Sequence, residues 1–230
     1  MPARDDSRLL DELTGRLRPL GLMLRGGFHA GPDDAAPSGA GTVLLVGNAG
    51  PELWRRSGEA LRDEADAMDA WTRRVMDPIG KDIGATVLYP FGGPPYHPFQ
   101  RWAKRAEGLH SSPLGMLIHP VFGLWHAYRA ALCFPDILPV PESESTSSPC
   151  ETCSAKPCLS TCPVSAFSEK KGYDVPACAA HLGTLEGRDC MSLGCRARRA
   201  CPVGRDFIYD PKQASFHMQA FLHARQSDSP

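Results

Sequence analysis

The sequence predicts an α+β protein in two parts, a mixed first domain over residues 1–141 and a small cysteine-rich module over 150–205. Three observations carry that division. Eight of the nine cysteines fall between Cys150 and Cys201, and the first 132 residues hold none. Before residue 135, compact apolar runs alternate with helical patterns, the arrangement of strands separated by helices. Between the parts lies Pro135–Pro149 (PDILPVPESESTSSP), which is rich in proline, serine and acid and has no periodicity, so residues 142–149 are expected to be a linker.

Taken in order, Leu9, Leu10, Leu13, Leu17 and Leu20 recur at helical spacing and predict an amphipathic helix over about 5–20. Gly21–Phe28 suits a short strand, and Ala30–Gly41 (AGPDDAAPSGAG) is a loop by composition. Thr42–Val46 (TVLLV) has the apolar, β-branched character of a buried strand. Pro51 stands at a favourable first-turn position for helix through 52–83, interrupted once or twice, with Asp77-Pro78 the expected kink. Thr86–Tyr89 predicts a strand, Pro90–Pro98 a loop and Gln100–Glu107 a short helix. Gly115–Ile118 and Leu124–Phe134 predict two strands joined by His119–Gly123, and Lys212–Arg225 predicts a helix within the C-terminal stretch 206–230.

Bulk properties narrow the function classes. A formal net charge of -1 over 230 residues gives no general attraction to nucleic acid or to anionic lipid. No apolar run approaches the ~20 residues of a membrane helix. The opening MPARDDSRLLDELTG carries acids early and lacks the apolar core of a secretory signal, so the chain reads as soluble and cytoplasmic. Disulfides persist in oxidising compartments, which directs attention to metal ligation instead.

The cysteines form two runs, Cys150-x2-Cys153-x4-Cys158-x3-Cys162-Pro163 and Cys178 followed by Cys190-x4-Cys195-x5-Cys201-Pro202. Close spacing of three cysteines lets one loop offer thiolates to three irons of a cubane, and proline then turns the chain away. In two-cluster ferredoxins the fourth cysteine ligates the other cluster. Applied here, one [4Fe-4S] cluster takes Cys150, Cys153, Cys158 and Cys201, and the second takes Cys162, Cys178, Cys190 and Cys195. The first run has two more residues before Cys158 than the standard spacing, and the second run is looser. Structural zinc is the competing reading, although its sites usually come as separated C-x2-C pairs without paired Cys-Pro endings. Cys133, alone in an apolar strand, reads as a small buried hydrophobe.

The first domain has no GxGxxG after a strand, P-loop, GxSxG or HExxH. Residues 113–129 read PLGMLIHPVFGLWHAYR, followed by a proline-rich exit over 134–141. This segment resembles the signature of the CblC family of cobalamin-processing chaperones, roughly S-G-x-x-I-H-P-x-F-G-G-W-F-A-x-R. The resemblance spans about residues 40–141 and is specific at 113–129. It implies a nitroreductase-like cobalamin-binding domain followed by the two-cluster ferredoxin-like module, a pairing also known in epoxyqueuosine reductase and reductive dehalogenases.

By that resemblance Leu117 and Tyr128 sit against cobalamin, and Gly115 keeps backbone close to the corrin ring. Arg129 matches the family arginine that binds a glutathione carboxylate, and Tyr89 a strand-end aromatic near the cobalt face. His119 is either a pocket residue or a strand-end residue bonded to backbone, and Arg129 either a ligand or an ordinary ion-pair partner. The chain departs from the family at Leu124, which replaces the second glycine of F-G-G, in a longer loop between Tyr89 and Gly115, and in its cysteine module where the family has a C-terminal cap. These departures favour direct electron delivery over glutathione chemistry. The resemblance thus implies a cobalamin reductase or decyanase that takes Co(III) to Co(II) and releases an upper ligand such as cyanide. Its electrons would come from a flavodoxin, a ferredoxin or a reductase. Flavin fits the fold, which flavin reductases share, but no residue argues for it. The alternatives are a plain electron carrier and an epoxyqueuosine-reductase-like corrinoid enzyme. The latter needs a basic surface for tRNA, and Arg196-Ala-Arg198-Arg199 is small for that role.

Overall fold

The computed structural model describes residues 6–57, 67–140, 147–168, 170 and 172–227. The chain forms two compact units, one drawn from Met1–Leu109 and His126–Thr146 and the other from His110–Trp125 and Ser147–Pro230. The segment His110–Trp125, which sequence assigns to 1–141, thus belongs with the cysteines. Most of the expected linker, together with part of the expected helix over 52–83, lies outside the described residues.

The first unit is an antiparallel sheet with helices. Helix α1 (Asp6–Leu17) buries Leu9, Leu13 and Leu17 on one face, as their spacing predicts. Strands β1 (Met23–His29), β2 (Thr42–Ala49), β3 (Thr86–Leu88) and β6 (His126–Phe134) pair in the order β1-β2-β6-β3. Strand β2 is buried from Thr42 through Asn48, which accounts for its nearly unbroken apolar run. Helix α2 (Glu52–Ser57) packs on β2, and α3 (Ala67–Ile83) packs on β3 and β6. Pro78 lies inside α3 and does not end it, since Met76, Ile79 and Ile83 are buried on either side of it. Helix α4 (Phe99–Glu107) packs on β1 and buries Trp102, whose Nε1 donates to the Asp34 carbonyl at 2.7 Å.

Register between β2 and β6 slips once, with Val46 opposite Ala130 and Gly47 opposite Tyr128. The extra residue on β6 is Arg129, so the slip is a bulge that breaks the period-two alternation there. A Cβ on Gly47 would lie 2.3 Å from the Ala127 carbonyl, so only glycine allows the two strands to approach this closely.

In the second unit β4 (His110–Ser111) pairs with β5 (Leu117–Ile118) across a turn closed by Gly115, whose φ is +76°. The expected strand over 124–134 begins only at His126, because the Trp125 amide donates to the Phe122 carbonyl at 2.9 Å and completes a turn. Helices α5 (Pro157–Ser160), α6 (Val175–Leu182), α7 (Arg188–Leu193) and α8 (Arg196–Arg199) carry or flank the cysteines, and β7 (Phe167–Ser168) pairs with β8 (Gly172–Tyr173). Asp174 caps α6 by accepting from the Ala177 amide at 2.9 Å. The expected terminal helix is α9 (Pro211–Ser227), which packs on α7 and α6. Among the described residues no helix is long and apolar enough to cross a membrane.

Candidate functional site

The second unit's core is Leu114, Ile118, Leu124, Ala166, Phe167, Ala197 and Cys201, with further cysteines packed against it. The eight cysteines fall into two neighbourhoods. In the first, Cys150 and Cys158 each feel the charges of Cys201 and Cys153, and Cys158 also feels that of Cys150. In the second, Cys178 feels Cys162 and Cys190, and Cys195 feels Cys190 and Cys178. The exit cysteine of the first run thus joins the second run's group, and Cys201 joins the first run's group. Cys162 and Cys201 each precede a proline, which restricts the backbone as the chain leaves each group.

Cys162, Cys178, Cys190 and Cys195 line a cavity of about 240 Å3 whose remaining wall includes Leu114, Met116, Phe167 and Tyr173. Among the described residues no three His, Cys, Asp or Glu side chains converge on a single ion. Burial pushes the thiols of Cys150, Cys158, Cys178, Cys195 and Cys201 upward, and neighbouring sulfurs add to the rise. Bound to cationic iron, such thiols would be held as thiolates, with the metal offsetting the charge that burial and neighbouring sulfurs oppose.

Sulfur acceptors are already supplied with donors. The Tyr173 hydroxyl donates to Cys178, and the Ala197 and Arg198 amides donate to Cys195 at the start of α8. The Ala166 amide donates to Cys162 at 3.4 Å. In the other group Ser148 bonds to Cys150 and the Val203 amide donates to Cys201. The donor set therefore fits iron–sulfur groups, whose thiolates accept such bonds.

The residues expected around cobalamin are divided between the units. Gly115, Leu117 and His119 belong to the second. Gly115 is exposed at its turn, and a Cβ there would meet nothing within 4 Å, so its positive φ, with no steric clash, is what requires glycine. His119 is used by its own loop. Its Nδ1 accepts from the Val121 and Phe122 amides at 3.0 and 3.1 Å, and the ring stacks on Phe122 at 4.2 Å between centroids. Leu124, where the family has glycine, offers its carbonyl to Arg198 Nε and Nη2 at 3.1 and 2.6 Å.

Tyr89, Tyr128 and Arg129 belong to the first unit. Tyr89 is buried, donates to Asp77 of α3 and stacks on Phe91, with the Arg73 guanidinium over both rings. Tyr128 and Arg129 join a polar cluster that the sequence does not reveal. Arg25, 1% exposed, donates from Nε and Nη2 to Glu107 at 2.8 and 2.9 Å, and the Tyr128 hydroxyl donates to the same carboxylate. Arg129 Nε donates to Asn48 Oδ1 at 3.0 Å, which leaves the buried Asn48 Nδ2 without a partner among the described residues. Burial raises the Tyr128 hydroxyl well above the ordinary tyrosine value, and the neighbouring Glu107 charge adds to that despite Arg25.

Neither a family model nor a characterised protein matches the sequence. Solved structures do match in three dimensions. Epoxyqueuosine reductase, solved with an epoxyqueuosine-modified tRNA stem loop, aligns with a TM-score of 0.53 at 15% identity, covering 91% of this chain and 71% of that one. The Bacillus subtilis epoxyqueuosine reductase gives 0.53 at 14% identity, again covering 91% and 71%. The Caenorhabditis elegans B12-trafficking protein CblC gives 0.50 at 11% identity and covers 94% of both chains. The fold is the one these proteins share. At such identities the likeness concerns fold, and the chemistry rests on this chain's own residues.

Proposed function

We propose that this protein binds cobalamin and reductively processes it, with electrons delivered through two [4Fe-4S] clusters. The observation that carries the proposal is the division of eight cysteines into two neighbourhoods of four, within a fold shared with a B12-trafficking protein and a two-thirds-covered reductase. Such clusters, when bound, supply one-electron transfer at potentials between about -700 and +450 mV. Cys150, Cys153, Cys158 and Cys201 would hold one, and Cys162, Cys178, Cys190 and Cys195 the other.

The substrate step balances simply. One electron from an external flavodoxin, ferredoxin or reductase converts Co(III) to Co(II), and the upper ligand departs with its bonding pair as cyanide. The added electron enters an orbital that is antibonding along the axial direction, so that bond weakens. The chain's part is to hold the corrin and to keep the donor groups ordered. The residues proposed for that part are those of the family signature, Tyr89, Tyr128 and Arg129 in the first unit and Gly115, Leu117 and His119 in the second. His119 contributes through the shape of its loop, since its Nδ1 is already an acceptor for backbone.

Arg196 and Arg199 both bond to Asp189, and Arg198 is directed to the Leu124 carbonyl and the Trp125 face, so these three arginines are held in contacts within the chain. Anaerobic titration with cyanocobalamin tests the proposal. Iron and sulfide near eight per chain, with a base-off shift of the cobalamin spectrum, would support it. Bound iron with an unaltered cobalamin spectrum would leave a plain electron carrier.

A further inference from the structure

We infer that His181 donates a hydrogen bond from Nε2 to the cluster held by Cys162, Cys178, Cys190 and Cys195 and raises that cluster's reduction potential. The inference rests on the iron–sulfur reading above and names a residue that its ligand set does not include. His181 lines the same cavity as those four cysteines. Its Nε2 is buried and has no hydrogen-bond partner among the described residues. A buried donor left unpaired is costly, so such a group calls for an acceptor close by.

The local chain holds the His181 backbone in place. Cys178 and His181 are three residues apart on α6, so they share one helical face. The His181 carbonyl accepts from the Thr184 amide at 3.0 Å and from Thr184 Oγ1 at 2.9 Å. A Cβ on Gly187 would stand 2.1 Å from that carbonyl, so the following turn closes directly over α6. The cavity wall offers Leu114, Leu182 and Phe221, which accept no hydrogen bond, the cysteine sulfurs, which do, and Met116 and His217, which can, while the Glu186 carboxylate lies within electrostatic reach of His181. Tyr173 already donates to Cys178, so His181 would be a second side-chain donor to the same group.

Reduction adds negative charge to a cluster, and a fixed N–H beside its sulfurs stabilises the reduced form more than the oxidised one. His181→Phe keeps a ring of similar size but removes the donor. At a fixed potential near the midpoint its reduced-to-oxidised ratio should fall about tenfold for that cluster alone, or about 59 mV for a one-electron couple. His181→Gln retains an N–H donor and should stay near the wild-type value. The experiment is a redox titration of the full chain followed by electron paramagnetic resonance, with iron and sulfide counted first. A lowered midpoint for one cluster in H181F, with H181Q unshifted, is the expected result. Unchanged midpoints in H181F, or an equal shift in H181Q, would overturn the inference while leaving the clusters standing. An iron count near four in the wild-type chain, or zinc in its place, would overturn the two-cluster reading itself and the role of His181 with it.

Discussion

Cys133 and Cys201 are both buried cysteines, yet their surroundings fit them for opposite tasks. Cys133 sits within β6 between Val43 and Thr86 on the flanking strands, and burial pushes its thiol up to about 12. It should resist alkylation at pH 8 in the folded protein and react fully once the chain is unfolded in denaturant. Cys201 lies beside Cys153, Cys150 and Cys158, and Cys201→Ser should cost roughly four irons per chain, the content of one cubane, as measured by iron analysis. Tyr128 makes a different prediction. Its folded value lies above the unfolded value of about 10, with burial the leading cause. Below pH 10 both states keep the proton and the stability is unchanged. Above pH 10 the unfolded chain ionises while the folded one does not, so stability falls as pH rises. Tyr89 and Tyr173 add to that alkaline loss, and Tyr128→Phe should flatten part of it in denaturation curves taken between pH 9 and 11.

Among the elements, the loop His119–Gly123 shows what sequence could and could not reveal. Its glycine was visible as part of a motif, but the reason for it was not. A Cβ on Gly123 would come within 2.1 Å of the Val203 carbonyl, and one on Gly204 within 2.3 Å of Phe122 backbone. Two loops therefore touch backbone to backbone, just after the Cys201-Pro202 corner. Gly123→Ala meets this clash at φ +57°, where an L-residue alone costs about 1–2 kcal/mol, so it should lower thermal stability and reduce iron loading together. The pair formed by Arg25 and Glu107 is equally hidden in the sequence, since the two stand 82 residues apart. Removing one partner leaves a buried charge, and Glu107→Gln should destabilise the chain by about 3–5 kcal/mol in denaturant titration. Helix α1 and strand β2 were legible because leucine spacing and an apolar run report burial directly. Strand β4 and the bulge at Arg129 were not, since two residues carry no period and a register slip depends on the partner strand. Cysteine spacing made the candidate ligands legible. The neighbourhood of His181 was not, because only folding closes the turn at Gly187 over it.

For the whole molecule, the segment 110–125 leaves the first unit and packs with the cysteines before β6 returns. A boundary drawn at the proline-rich stretch misses this, because composition marks where a chain is unstructured and not which unit a short hairpin joins. The signature over 113–129 is thereby shared, with Gly115, Leu117 and His119 in the cysteine-bearing unit and Tyr128 and Arg129 in the sheet-bearing one. The measurement that bears most directly on this account is an anaerobic single-turnover experiment. Protein reduced at its clusters and freed of excess reductant is mixed with cyanocobalamin, and the visible spectrum is followed in time. The account predicts that cluster absorbance returns as cob(II)alamin appears, one electron for each cobalt reduced, and that the serine variant of Cys201 slows or abolishes the transfer. Clusters that stay reduced beside unchanged cyanocobalamin would contradict it.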